Sequence, residues 1–194
     1  HLRSCAASDG PTLHAAIDLL ANGIRRVQRH QYADAVARFY RLVELLVQWR
    51  FTECFASQGL ITQTANPTAG IEVKKAADAA PRWFDERRGS ISPNSPTLNL
   101  GLRDAASVIA EQGDDFGAKV LADLGSVTEP GRLGTLLQRR HHSFLAHGSM
   151  PIRGETAMQL QNVVFELARA ATASDDLDFE ELTAGTVFPC YPGS

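Results

Sequence analysis

Cysteine is scarce in this chain of 194 residues, with Cys5, Cys54 and Cys190 the whole supply. An odd, widely spaced set offers no disulfide framework and no paired-ligand zinc pattern, and it suits a reducing compartment. Cys54, inside an apolar helical run, reads as an inert buried thiol. Long apolar runs are missing as well. None approaches the roughly 20 residues that a membrane span needs, and no basic stretch followed by an apolar one marks a secretory leader. The expectation is a cytoplasmic protein with no membrane partner. Net charge is small, at −3. That argues against a broad electrostatic sheath for long nucleic acid but leaves room for a small cationic pocket. Strand signals are few, and no internal repeat is visible.

What the chain does have is apolar residues at the helical period. Residues 11–30 carry Leu13, Ile17, Leu20, Ile24 and Val27, with Pro11 expected at the first helical position. Residues 32–57 form the longest predicted helix. Its apolar face is wide (Val36, Phe39, Tyr40, Val43, Leu46, Val47 and Phe51), which places it centrally, and Gly59 is its expected stop. A loop is predicted over 60–70, a helix over 71–86 that Pro81 kinks or restarts, and a break over 89–97. Two shorter helices, 98–112 and 115–124, hinge near Gly113. Thr128 is expected to cap the next helix, with Pro130 in its first turn and Gly148 at its end. A last helix covers about 154–173. The fold class is therefore all-α, a helical bundle with a long central helix. Residues 1–10 read as a leader or tag remnant, 11–173 as the helical domain, and 174–194 as a tail packing on the bundle.

The segment Gln138–Gly148 concentrates the chemistry. Arg140 and His147 are seven positions apart, close to two turns at about 100° per residue, so a helix presents both on one face. Ser143 lies between them. A guanidinium, a hydroxyl and an imidazole in one line suit a phosphodiester: fixed positive charge, a hydrogen-bonding hydroxyl and a group that handles a proton near neutral pH. Leu133, Leu136, Leu137 and Phe144 fall on or beside the same face, while Arg139, His142 and Leu145 point elsewhere. The trio thus interrupts an apolar stripe, where polar groups are costly unless partnered. The alternative is a structural network, with Arg140 paired to a carboxylate and His147 capping the helix end. Arg132, Arg139, Arg140, His141, His142 and His147 make this the most cationic local stretch, with no acidic residue inside 132–147. The histidines do not form a metal set, since His142 is turned roughly 140° from His147. No metal and no cofactor are expected.

The run Arg140-His-His-Ser143-Phe-Leu-Ala146-His147-Gly148 resembles the signature of HEPN-domain ribonucleases, in particular the CRISPR-associated group that joins HEPN to a CARF sensor domain in type III systems. That group carries Arg, a polar residue (often Asn, here His141), Ser three positions after the Arg, and Ala-His-Gly. The stretch from Tyr32 to Gln48 is similar to a long helix of the same group, and Val187-Phe-Pro189 is weakly similar to its ending. On this stretch Asp34, Arg38, Arg41, Glu44 and Gln48 share one face by angular count. They are either a solvated stripe with an Asp34–Arg38 pair at i,i+4, or, with Arg139, support for the site and contacts for RNA.

The resemblance implies an HEPN-like bundle and a metal-independent endoribonuclease that cleaves single-stranded RNA to a 2′,3′-cyclic phosphate. It also implies a homodimer in which two motifs share one cleft, in CRISPR type III antiviral defence. RNA carries its own nucleophile in the 2′-OH. Arg140 can stabilise charge on the phosphorus-bound oxygens, His147 can act as acid or base or orient the 2′-OH, and Ser143 orients. Leu133, Leu136, Leu137 and Phe144 are then candidates for the twofold seam. No segment reads as the alternating strands and helices of the sensor domain, so cyclic oligoadenylate is expected to act only through a domain absent from this chain. The competing class is a non-catalytic helical dimerisation module that binds RNA or protein.

Overall fold

Residues 10–141 and 151–173 are described by a computed structural model, with the backbone alone for 139–141. Eight α-helices and one two-stranded pairing make up its regular structure among these residues. None of these helices is long and apolar enough to cross a membrane.

The wide apolar face of the second helix does what its sequence requires. Helix α2 (Tyr32–Phe55) buries Ala35, Val36, Phe39, Leu42, Val43, Leu46, Val47, Trp49, Phe51 and Phe55. Three helices cover it: α1 (Leu13–Gln28), α5 (Leu102–Glu111) and α8 (Gly154–Ala173). Gly59 ends it in the left-handed region at φ 64°, after a 3-10 turn at Ala56–Gln58. Against α1 the approach is close enough to require glycine: a Cβ on Gly23 would lie 2.4 Å from Phe39 Cε1. Pro11 is not the first helical residue. Thr12 is the N-cap of α1, its hydroxyl accepting from the Ala15 N–H at 3.1 Å, so proline precedes the cap.

Pro81 restarts the chain as its missing N–H dictates. It separates α3 (Val73–Ala79) from α4 (Pro81–Arg87). The open N–H groups of α4 are taken by Glu111 of α5, whose carboxylate accepts from Arg82 at 2.8 Å and Trp83 at 2.9 Å. Ile71, Glu72 and Leu98, expected as helix ends, are instead strand, as is Thr97 from the expected break. β1 (Ile71–Glu72) pairs antiparallel with β2 (Thr97–Leu98) and closes the long connection between α2 and α5. Two residues per strand are too few for a period-2 pattern to show in the sequence.

At Gly113 (φ 82°) α5 turns into α6 (Asp115–Leu124). Asp114 caps α6, accepting from Gly117 N–H at 3.0 Å, and also holds Arg50 of α2 in a buried ion pair. Cys54 is only half-buried, with its Sγ 3.9 Å from the same carboxylate, so the expectation of a fully buried thiol is corrected.

Helix α7 (Arg132–His141) begins later than expected. Thr128 does not cap it and Pro130 is not in its first turn. Residues 126–129 form a turn in which Ser126 N–H donates to Glu129 O at 2.9 Å, and Pro130 bridges back to Gly125. The backbone at Gly131 and Gly134 runs so close to the end of α6 that a Cβ would meet Asp123 O at 2.4 Å and Leu124 O at 2.2 Å. That contact fixes where the helix starts. α7 then packs on α6 and α8.

Candidate nucleolytic motif

The motif helix is anchored by its leucines. Leu133, Leu136 and Leu137 are 0%, 5% and 8% exposed and belong to the core of their own bundle. They are not available as a dimer seam, which corrects that expectation. The reason is the angular position of the stripe, which α6 and α8 cover within the chain.

Arg139, Arg140 and His141 occupy the last turn of α7. In register Arg140 is one heptad after Leu133 and one turn after Leu136, so it continues the anchored stripe. Ser143, Phe144, His147 and the expected stop at Gly148 lie outside the described residues, as do Cys5, Cys190 and the tail from 174 to 194.

An ion pair marks the register of α7 against α8. Arg132 donates through both terminal nitrogens to Glu166, at 3.0 Å each. This fork holds the Glu166 carboxyl below the usual carboxylate range, chiefly through the Arg132 hydrogen bond, and raises Arg132 further. Lys119 of α6 lies 3.8 Å from the same carboxylate. One turn further on, Thr135 and Leu136 share a cleft of about 500 Å³ with Gln159, Asn162 and Val163 of α8. The two helices therefore run antiparallel, with Arg132 level with Glu166 and later positions of α7 level with earlier ones of α8. Arg132, part of the cationic stretch of the sequence, is engaged by a carboxylate.

The polar face of α2 divides in two. Near its start Asp34 holds Arg38 at 2.8 Å and Arg26 of α1 at 3.3 Å. Further along, Arg41 and Glu44 pair at 3.2 Å and, with Gln48, line a polar cleft of about 270 Å³ closed by Asn66, Thr68 and the first turn of α5. Gln48 Nε2 donates to Asn66 Oδ1 at 3.4 Å, while its buried Oε1 has no partner among the described residues. The i,i+4 pair expected at Asp34–Arg38 is present, and Arg41 and Glu44 bind each other. No group of three or more potential metal ligands occurs among the described residues.

Two constellations escaped the sequence reading. One is Arg50–Asp114, whose members are 64 positions apart. The other is His30–Tyr32, described below. An aspartate just after Gly113 is a visible capping signal, but its ion-pair partner is not.

The family model described as the Csm6 HEPN domain matches residues 6–171, a span that takes in α1 to α7, all but the last two residues of α8 and the Arg140–His147 segment. No curated protein matches the chain significantly, and no solved structure does.

Proposed function

The chain belongs to the Csm6 HEPN domain family, and from that premise we propose that it is a metal-independent endoribonuclease domain acting on single-stranded RNA in CRISPR type III antiviral defence. The observation that carries this reading is the family match across the whole motif segment, joined to a motif helix whose rotation is fixed by three buried leucines. The ribose 2′-OH attacks the adjacent phosphorus, the bond to the 5′-oxygen of the next nucleotide breaks, and a 2′,3′-cyclic phosphate remains. Arg140 neutralises the non-bridging oxygens as charge builds on them. His147 manages or orients the proton of the 2′-OH or of the leaving oxygen. Ser143 orients, and His141 takes the polar position between them.

One arginine and one histidine are few groups for two proton transfers. A homodimer that brings two motifs to one cleft doubles them. With Leu133, Leu136 and Leu137 consumed by the core, the twofold contact would fall to other surfaces of the bundle.

The test is a labelled single-stranded RNA incubated with the protein in EDTA, with products resolved by size and end chemistry. Cleavage to cyclic-phosphate ends is expected. Arg140→Ala and His147→Ala should each lower the rate by roughly 10²–10⁴-fold, the range for a positioned acid–base group, without unfolding the chain. Full activity in both folded variants would refute the assignment. A mobility shift with no cleavage by the wild type would point to a binding module instead.

A further inference from the structure

The turn between α1 and α2 carries an unusual histidine. His30 sits at φ 58°, the only non-glycine residue with positive φ among the described residues. Left-handed backbone is uncommon for a residue with a side chain and marks a position worth explaining. The ring is exposed, and its Nδ1 is 2.6 Å from the Tyr32 hydroxyl. The two rings meet edge to face, with centroids 5.8 Å apart. Tyr32 in turn packs against the start of α8: a Cβ on Gly154 would be 2.8 Å from Tyr32 Cζ.

This corner lies at the motif end of the bundle. α7 runs antiparallel to α8, with Arg132 level with Glu166. Arg140 is eight residues further along α7, or about 12 Å at the helical rise. The same distance back along α8 reaches the turns that follow Gly154. The chain leaving α7 re-enters the described structure at Pro151, three residues before Gly154.

Charge collects there against the trend of the chain. Residues 25–38 and 151–156 hold Arg25, Arg26, Arg29, Arg38 and Arg153 against only Asp34 and Glu155, while the whole chain has a net charge of −3. Arg26 and Arg38 are engaged by Asp34. Arg29, next to His30, and Arg153, next to Gly154, are exposed and have no acidic partner among the described residues. Cations at the end of α1 also complement its dipole, but that does not account for Arg153, which precedes a helix and opposes the dipole there.

We propose that Arg29, His30, Tyr32 and Arg153 form a binding site for the RNA strand entering the motif, with the two guanidinium groups on phosphates and a base against the His30 ring that Tyr32 holds in place. Guanidinium and aromatic groups side by side are the usual means of gripping single-stranded RNA without a duplex. The site would deepen the reading above, since it rests on RNA being the ligand.

Binding is measured with a fluorescent single-stranded RNA made of 2′-O-methyl nucleotides, which lack the nucleophile, so cleavage does not enter. Anisotropy titrations of the full chain between 50 and 200 mM salt give affinity and salt slope. For single strands each phosphate contact contributes about 0.7 to the slope. Arg29→Gln/Arg153→Gln should therefore lower the slope by about 1.4 and weaken binding by roughly 25-fold at 0.1 M salt. Arg88→Gln, an exposed cation paired with Asp85, should leave the slope unchanged. His30→Asn keeps a residue that tolerates the left-handed turn. It should weaken binding by about fivefold or more at an unaltered slope, as loss of stacking does. An unchanged slope in the double variant, or no binding of RNA by the wild type, overturns the site, and the second result would point to a protein partner. A wild type that cuts cleavable RNA while the double variant keeps its slope sinks this site and leaves the nuclease standing. A double variant whose slope falls as expected while the wild type never cuts cleavable RNA does the reverse.

Discussion

Asp114→Asn is the sharpest probe of how the bundle is held together. Asp114 caps α6 through Gly117 N–H and pairs with Arg50 from the C-terminal part of the core helix, and both side chains are 8% exposed. Asparagine caps a helix about as well as aspartate, so this substitution removes the charge and leaves the cap. Arg50 then remains buried opposite a neutral amide. Breaking a buried pair on one side costs about 3–5 kcal/mol. For a domain of this size each kcal/mol moves the melting temperature by about 2–4 °C, so a fall on the order of 10 °C is expected in thermal unfolding followed by circular dichroism. Arg50→Met should cost a similar amount, because it strands the carboxylate. Arg50→Met/Asp114→Asn should recover much of the loss, since apolar replacement of a buried pair is often close to neutral. Single and double variants whose losses simply add would refute a direct buried pair between α2 and the α5–α6 elbow.

Other expectations test the packing that positions the motif helix. Gly23→Ala should lower the melting temperature even though alanine gains about 1 kcal/mol in helix propensity, because its Cβ runs into Phe39, which is fully buried; a rise on thermal denaturation would contradict the α1–α2 contact. Leu133→Ala should cost about 2–5 kcal/mol as a core cavity, read by urea denaturation; a loss under 1 kcal/mol would mean that the leucine faces outward after all. Glu166→Gln should be mildly destabilising near neutral pH, since the Arg132 fork is more than one-third exposed and such pairs contribute little. The folded-state carboxyl titrates below its unfolded value, so the pair's contribution is present above the unfolded pKa and lost as pH falls through the folded one. Wild type and variant should therefore converge in stability under acid, and a gap that widens with acidification would be inconsistent with that sign.

How much of this was legible beforehand depended on how local each signal was. The helices of the bundle follow from apolar spacing read a few residues at a time, and α8 begins and ends where its stripe does. Pro81 and Gly113 punctuate the chain through their own backbone chemistry. The start of α7 is not legible locally, because Thr128 and Pro130 look like a cap and a first turn, whereas the passage of the backbone against α6 at Gly131 and Gly134 decides the matter. That is a tertiary constraint with no local trace except the glycines. The leucine stripe was read correctly as apolar and assigned to the wrong neighbour, since periodicity shows that a face is covered and not by what. Arg50–Asp114 and His30–Tyr32–Gly154 join residues through space or through a left-handed turn. Neither kind of information is carried by spacing.

The same distinction bears on the site. A motif of one arginine and one histidine is chemically sparse, and its function depends on what the fold delivers around it. Burial of Leu133, Leu136 and Leu137 inside the chain fixes the rotation of α7. The Arg132–Glu166 fork marks its register against α8. The buried stripe and this register place position 140 relative to the start of α8, the kind of preorganisation that the proposed phosphoryl transfer would use. On that proposal, the cations most useful to an incoming strand are those left unengaged at that end of the bundle. Arg132 is engaged by Glu166 and Arg38 by Asp34, whereas Arg29 and Arg153, next in sequence to His30 and Gly154, are exposed.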